Sequence, residues 1–160
     1  MRTFMSRQNC FLAGLFAFVT LISLNATFAA EGHSHPENGP HGGQLIELGD
    51  EEYHAELMLD EKANVVTIFI LDKTALKVIP IEAKELLVNL KQGQKGIQFR
   101  LKPATQKGDP EGKASRYSLK SADLVKQLHR KDAAAQLRVN ISGKPYSGKI
   151  QLVGHHDHQH

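Results

Sequence analysis

Apolar and polar residues alternate along most of this chain. Ile97, Phe99 and Leu101 alternate with Gln98, Arg100 and Lys102. Tyr117 and Leu119 alternate with Arg116, Ser118 and Lys120, and Leu137, Val139 and Ile141 alternate with Arg138, Asn140 and Ser142. Tyr146, Ile150 and Leu152 alternate with Ser147, Lys149 and Gln151. A period of two with one residue type per side predicts strands with one buried and one wet face. Nearer the N-terminus, Gln44–Leu48 is a short apolar-rich strand, and Leu86, Val88 and Leu90 form a further apolar side. Tyr53–Leu59 places Tyr53, Ala55, Leu57 and Leu59 on one face and His54, Glu56 and Met58 on the other. Val65–Leu71 (VVTIFIL) is apolar on both faces, as a central strand would be.

Turn chemistry separates these runs. Gly49-Asp50 and Asp60–Asn64 flank the second strand, Lys91–Gly96 (KQGQKG) reads as a hairpin loop, and Thr105–Ser115 as a longer polar loop. Ser121–Leu128 (SADLVKQL) is the one helical patch, with Ser121 as its N-cap and Leu124 and Leu128 stacked at i and i+4. Seven or eight short strands at regular spacing with one short helix predict an all-β fold, an immunoglobulin-like β-sandwich spanning residues 44–153. No internal repeat is evident.

The first thirty residues are different. Arg2 and Arg7 precede Phe11–Leu24, an uncharged and mostly apolar stretch of 14 residues, and the small residues Ala26, Thr27, Ala29 and Ala30 follow. That order is the pattern of a secretory signal peptide over residues 1–29, which predicts a periplasmic or secreted protein. An uncleaved anchor or a buried helix is the competing reading, but the apolar run is shorter than the roughly 20 residues that cross a bilayer. Cutting after Ala29 puts Thr27 at the −3 position, and cutting after Ala30 puts the bulkier Phe28 there. Cys10 lies inside the apolar run without a lipobox leading to a mature N-terminal cysteine, which argues against a lipoprotein.

Removal of the signal changes what composition says. About 131 residues remain, the size of one domain. Arg2 and Arg7 leave, so the formal net charge falls from +3 to about +1, and the sequence pI near 9.0 overstates the basicity. No dense Lys/Arg stripe with interleaved aromatics suggests a nucleic-acid surface. The sole cysteine leaves too, which removes disulfides, thiolate nucleophiles and thiolate metal sites. Met58 is the one methionine left, which disfavours a thioether-rich Cu(I) carrier.

All nine histidines remain, and they gather at the ends. His33, His35 and His41 lie in a Gly/Pro-rich arm, residues 30–43. His155, His156, His158 and His160, with Asp157, make up the tail 154–160. Neutral imidazole suits Zn, Cu, Ni and Co, and a flexible cluster can wrap such an ion without a preformed pocket. The competing reading is a polar tail that gains charge below about pH 6.5. A cut after Ala30 would create a mature Glu31-Gly32-His33 terminus, whose amine, amides and imidazole suit square-planar Cu(II) or Ni(II). His41, His54 and Glu56 form a second candidate site. His54 and Glu56 share a strand face, and Gly42-Gly43 permits close backbone approach, so three ligands plus water would suit zinc. The alternative is that His54 and Glu56 are ordinary solvent-face residues. His129 reads as a surface residue. Asn140-Ile141-Ser142 is a glycosylation sequon that falls mid-strand.

The stretch GPHGGQLIELGDEEYHAEL, residues 39–57, with VTIFILDKTALKVIPI after it, resembles a small domain associated with periplasmic adaptor subunits of heavy-metal efflux systems, the CzcB/CusB-like membrane-fusion family. It is also similar to stand-alone exported proteins that pair this domain with His-rich ends. The resemblance covers residues 39–82 and carries over His41, Gly42, Gly43, His54 and Glu56 as motif positions. The helical hairpin, lipoyl-like and barrel domains of an adaptor are missing, so it implies a metal-binding or metal-delivering accessory and an envelope efflux component as partner. The leading expectation is thus an exported, non-enzymatic transition-metal-binding protein, with Zn or Cu as its ion. The competing expectation is an envelope protein–protein interaction module whose histidines are incidental. For an enzyme, no G-x-S-x-G elbow, HExxH or phosphate loop is present, which leaves only hydrolytic zinc at His41, His54 and Glu56.

Overall fold

The alternating runs pair into one antiparallel sheet that curls back on itself. The computed structural model describes residues 38–130 and 134–151. The stretch expected to be a signal peptide, most of the arm and the histidine-rich tail lie outside the described residues. Chain order is β1 (Gln44–Leu48), β2 (Tyr53–Asp60), β3 (Val65–Leu71), β4 (Leu86–Gln92), β5 (Lys95–Pro103), β6 (Arg116–Lys120), α1 (Ala122–Leu128), β7 (Ala134–Ile141) and β8 (Lys144–Ile150). In the sheet the order is β1-β2-β3-β6-β5-β4-β7-β8. The fold is therefore the expected all-β sandwich, barrel-like in its curl, with one short helix. These elements belong to one compact unit. Among the described residues, no helix is long and apolar enough to cross a membrane.

Local chemistry sets the connections. The β7–β8 hairpin closes Ile141 on Lys144 through Ser142 and Gly143, both at positive φ, as a two-residue turn that matches strand twist requires. The β4–β5 hairpin likewise pairs Gln92 with Lys95, with Gly93 at positive φ. Helix α1 is short but capped as its sequence predicts, the Ser121 hydroxyl accepting from the Leu124 amide at 3.1 Å. It buries Leu124, Val125 and Leu128 in the main core.

The inner face of the curl holds that core. Registers bring Leu57 beside Ile68 and Ile68 beside Tyr117, while Val88 lies between Phe99 and Leu137. Tyr117 is fully buried, but its hydroxyl donates to the Ala83 carbonyl at 2.8 Å. Burial pushes its pKa up to about 12, so the neutral phenol is the form the core holds.

The two ends of the sheet, β1 and β8, meet without joining the ladder. The Gln44 side-chain amide donates to the Gln151 carbonyl. A Cβ added at Gly148 would stand 2.2 Å from the Glu47 carbonyl oxygen and 2.5 Å from Ile46 Cγ2. Beside this seam, Glu52 accepts from Lys144 at 2.6 Å and from the Tyr146 hydroxyl, and these bonds hold its carboxyl below the usual range. Only a glycine lets the backbones approach this closely, so Gly148→Ala is expected to cost about 3 kcal/mol by overpacking the closure. Urea unfolding measures this; a stability within about 0.5 kcal/mol of the parent, as for an ordinary surface change, would contradict the closure.

Candidate functional site: a buried carboxylate clamp

The outer face of the sheet is covered over β1, β2 and β3. Phe69, Leu71 and Ala75 form a second, smaller core with Leu45, Met58 and Val78. Its cover comes from the segment before β1 and from the loop after β3. His54 and Glu56 point into this layer and are both 0% exposed. They are therefore not the solvent-face residues that alternation allows. Strand β2 is buried on both sides, as β3 is.

Glu56 sits where the two neighbouring strands place Leu45 on one side and Phe69 on the other. A carboxylate in such surroundings needs donors, because burying an unpaired charge is prohibitive. Residues 39–43 supply them. Pro40 occupies the second position of a β-turn closed by the Gly42 amide on the Gly39 carbonyl at 2.9 Å, a position its fixed φ favours. The Gly39 amide donates to the Gly43 carbonyl at 2.8 Å, and Gly42 adopts φ +81°, so the segment doubles back over β2. Two glycines let it lie flat: a Cβ at Gly39 would stand 2.5 Å from Glu56 Cδ, and one at Gly43 2.5 Å from the Leu57 carbonyl oxygen.

Three donors then converge on one carboxylate. The backbone amides of His41 and Gly43 donate to Oε1 at 2.7 and 2.8 Å. His41 Nδ1 lies 2.7 Å from Oε2. Since an ionised carboxylate only accepts, Nδ1 carries the proton of this bond. The imidazole also stacks on Phe69, centroid to centroid 3.9 Å with 13° between planes. Its side chain is 37% exposed, against 0% for Glu56. One edge of the ring is thus fixed from behind and one face from below. In the neutral ring Nε2 is the nitrogen with a free lone pair.

His54 serves the other covering loop. Its Nδ1 lies 3.2 Å from the Asp72 carbonyl oxygen. Asp72 in turn organises residues 72–77. Its Oδ1 accepts from the Thr74 hydroxyl at 2.6 Å and from the Thr74 and Lys77 amides at 3.1 and 3.4 Å. The Thr74 hydroxyl bond, helped by backbone donors, holds the Asp72 carboxyl below its usual range against the opposing effect of desolvation. This loop places Ala75 at φ +59° and seats it in the small core.

The three-ligand zinc site expected from His41, His54 and Glu56 is not assembled. Both Glu56 oxygens are committed to the 39–43 segment, and His54 faces Asp72. Among the described residues, no group of three His, Cys, Asp or Glu side chains stands together to hold a metal. His33, His35, His155, His156, Asp157, His158 and His160 lie outside the described residues. His129 is at the surface as expected, with Nε2 3.1 Å from Glu61 Oε1. Sequence reasoning did not reach Gly39, Phe69 or Asp72. The Gly42-Gly43 pair, read as permitting close backbone approach, did point toward the clamp, and Gly43 is the one of the two that lies against β2.

Compared with family models, with curated proteins and with solved structures, the chain matches none.

The clamp makes unequal demands on its two partners. Glu56→Ala strands one buried and one part-buried amide donor and is expected to cost about 3 kcal/mol, whereas His41→Ala removes one partly exposed bond and a stacked ring and should cost about 1 kcal/mol. Chemical denaturation of both variants checks this; equal costs would contradict a carboxylate that anchors the loop by its backbone.

Proposed function

We propose that this chain is an exported, non-enzymatic protein that binds a transition-metal ion, Zn(II) or Cu(II) foremost, with His41 as the ligand its fold holds ready. One observation carries the reading: the His41 ring is bonded through Nδ1 to a fully buried carboxylate and stacked on Phe69. Metal-ligating histidines characteristically donate their second nitrogen to a carboxylate, which fixes the tautomer and raises the basicity of the ligating nitrogen. In this reading Glu56 is not a ligand. It stands behind His41 and orients it. One imidazole does not complete a coordination shell, so the remaining donors fall to the histidine-rich termini, His33 and His35 and the cluster from His155 to His160 with Asp157.

The ligand chemistry supports the choice of ion. Imidazole with an occasional carboxylate suits borderline divalent ions, whereas Cu(I) would want sulfur that the chain lacks beyond its leader and Met58. The resemblance of residues 39–82 to the domain associated with heavy-metal efflux adaptors supports a role in buffering or handing over such ions outside the cytoplasm.

Calorimetric titration of the chain from residue 30 with Zn(II) and Cu(II) tests this. His41→Ala is expected to weaken binding at least tenfold, and Glu56→Gln by about tenfold through the lost orienting charge. Uptake should disappear as pH falls through the imidazole range near about 6.5, because protons compete for the same lone pair. Unchanged affinity in His41→Ala would refute the role of the clamp.

A further inference from the structure

The sheet's outer face is closed over β1–β3, whereas over β5, β4, β7 and β8 no described segment covers it. Strand registers there place Arg100 beside Leu87, Leu87 beside Arg138, and Arg138 beside Ser147 in one cross-strand row. The next row runs Gln98, Asn89, Gln136 and Lys149. Lys91 follows Asn89 on β4, and Lys102 follows Arg100 on β5. Lys91, Arg100, Lys102, Arg138 and Lys149 are all exposed. Two carboxylates border them: Glu85 accepts from Arg100 and, at 2.7 Å, from Lys102, and the exposed Glu47 of β1 lines the same groove as Lys149. No ion pair among the described residues engages Lys91, Arg138 or Lys149. The face is therefore predominantly cationic, five cations from four strands against the bordering Glu85 and Glu47.

We infer that this face, carrying Lys91, Arg100, Lys102, Arg138 and Lys149, docks the protein on an anionic phospholipid bilayer. The partner follows from what the face has and lacks. Four antiparallel strands make it broad, about 15 Å across at the usual strand spacing, and basic residues held at such a surface attract acidic headgroups. A protein interface of comparable width wants a desolvated aromatic or aliphatic anchor at its centre. Here the centre holds amides and the half-buried Leu87. Single-stranded nucleic acid wants aromatic platforms on which bases stack, and the rows contain none. Adsorption is thus electrostatic and without insertion. It acts on a different part of the molecule from the His41 clamp and does not depend on metal.

Vesicle flotation of the chain from residue 30, which carries every described strand, the helix and both cores, tests this with pure phosphatidylcholine and with phosphatidylglycerol vesicles. Binding to phosphatidylglycerol alone, released by salt, is expected. The triple variant Lys91→Gln, Arg138→Gln, Lys149→Gln should weaken it on the order of a hundredfold, at roughly fivefold per charge. The control Lys62→Gln, Lys73→Gln, Lys107→Gln removes the same charge elsewhere and should retain most binding. Circular dichroism confirms that both variants fold. Failure to prefer phosphatidylglycerol, an equal loss in the control, or capture of an acidic protein without vesicle binding would each overturn the proposal.

Discussion

A carboxylate with no exposed surface has to be solvated by the protein itself, and at Glu56 the protein does so with its own backbone. Two amides and an imidazole take the place of water. That requirement explains the local sequence. Gly39 and Gly43 exist because any side chain would collide with what lies beneath. Pro40 and Gly42 shape the turn that aims the amides. Loop and strand are thus mutually dependent: without the carboxylate the turn has two stranded donors, and without the turn the carboxylate is an unpaired buried charge.

The same layer shows how the sheet divides its labour. Its inner face is uniformly apolar and supplies the main core. Its outer face is two different surfaces. Over β1–β3, two loops enclose a small second core and leave His41 as the polar group at its edge. Over β5, β4, β7 and β8 no described segment covers the strands, and the cations there stay in water. The seam at Gly148, where β1 meets β8, brings the covered end of the sheet round to the open one. Metal capture and surface adsorption, as proposed, draw on the two halves separately.

Most strands were legible because their inner and outer residues differ in type, and in β7 the alternation runs without a break from Ala134 to Ile141. Turn residues marked the loops around β2 and the β4–β5 hairpin equally well, but the β7–β8 turn falls at Ser142-Gly143, where the alternation reads Ser142 as part of the strand. The sheet order was not legible, since placing β6 beside β3 depends on contacts between residues about fifty positions apart. The site was half legible. Its histidines and glutamate could be picked out, but polarity cannot distinguish a carboxylate solvated by water from one solvated by a folded-back loop. The apolar character of VVTIFIL on both faces was the clue that a second cover existed, and it applied to the neighbouring strand as well. The basic face was hidden for a related reason: Lys91 and Lys149 are far apart in sequence, and only the registers through β7 bring them to one surface.

The buried carboxylate, the folded-back loop and the exposed imidazole meet at one atom, His41 Nδ1. If Glu56 orients the imidazole as described, the proton of the neutral ring resides on Nδ1 and the lone pair on Nε2. Long-range nitrogen–proton NMR correlation of the imidazoles reads this directly. The account predicts that His41 populates the Nδ1-protonated tautomer, that the exposed His129 does not share this fixed state, and that added Zn(II) shifts the Nε2 resonance of His41. An Nε2-protonated or freely exchanging His41 ring would contradict it.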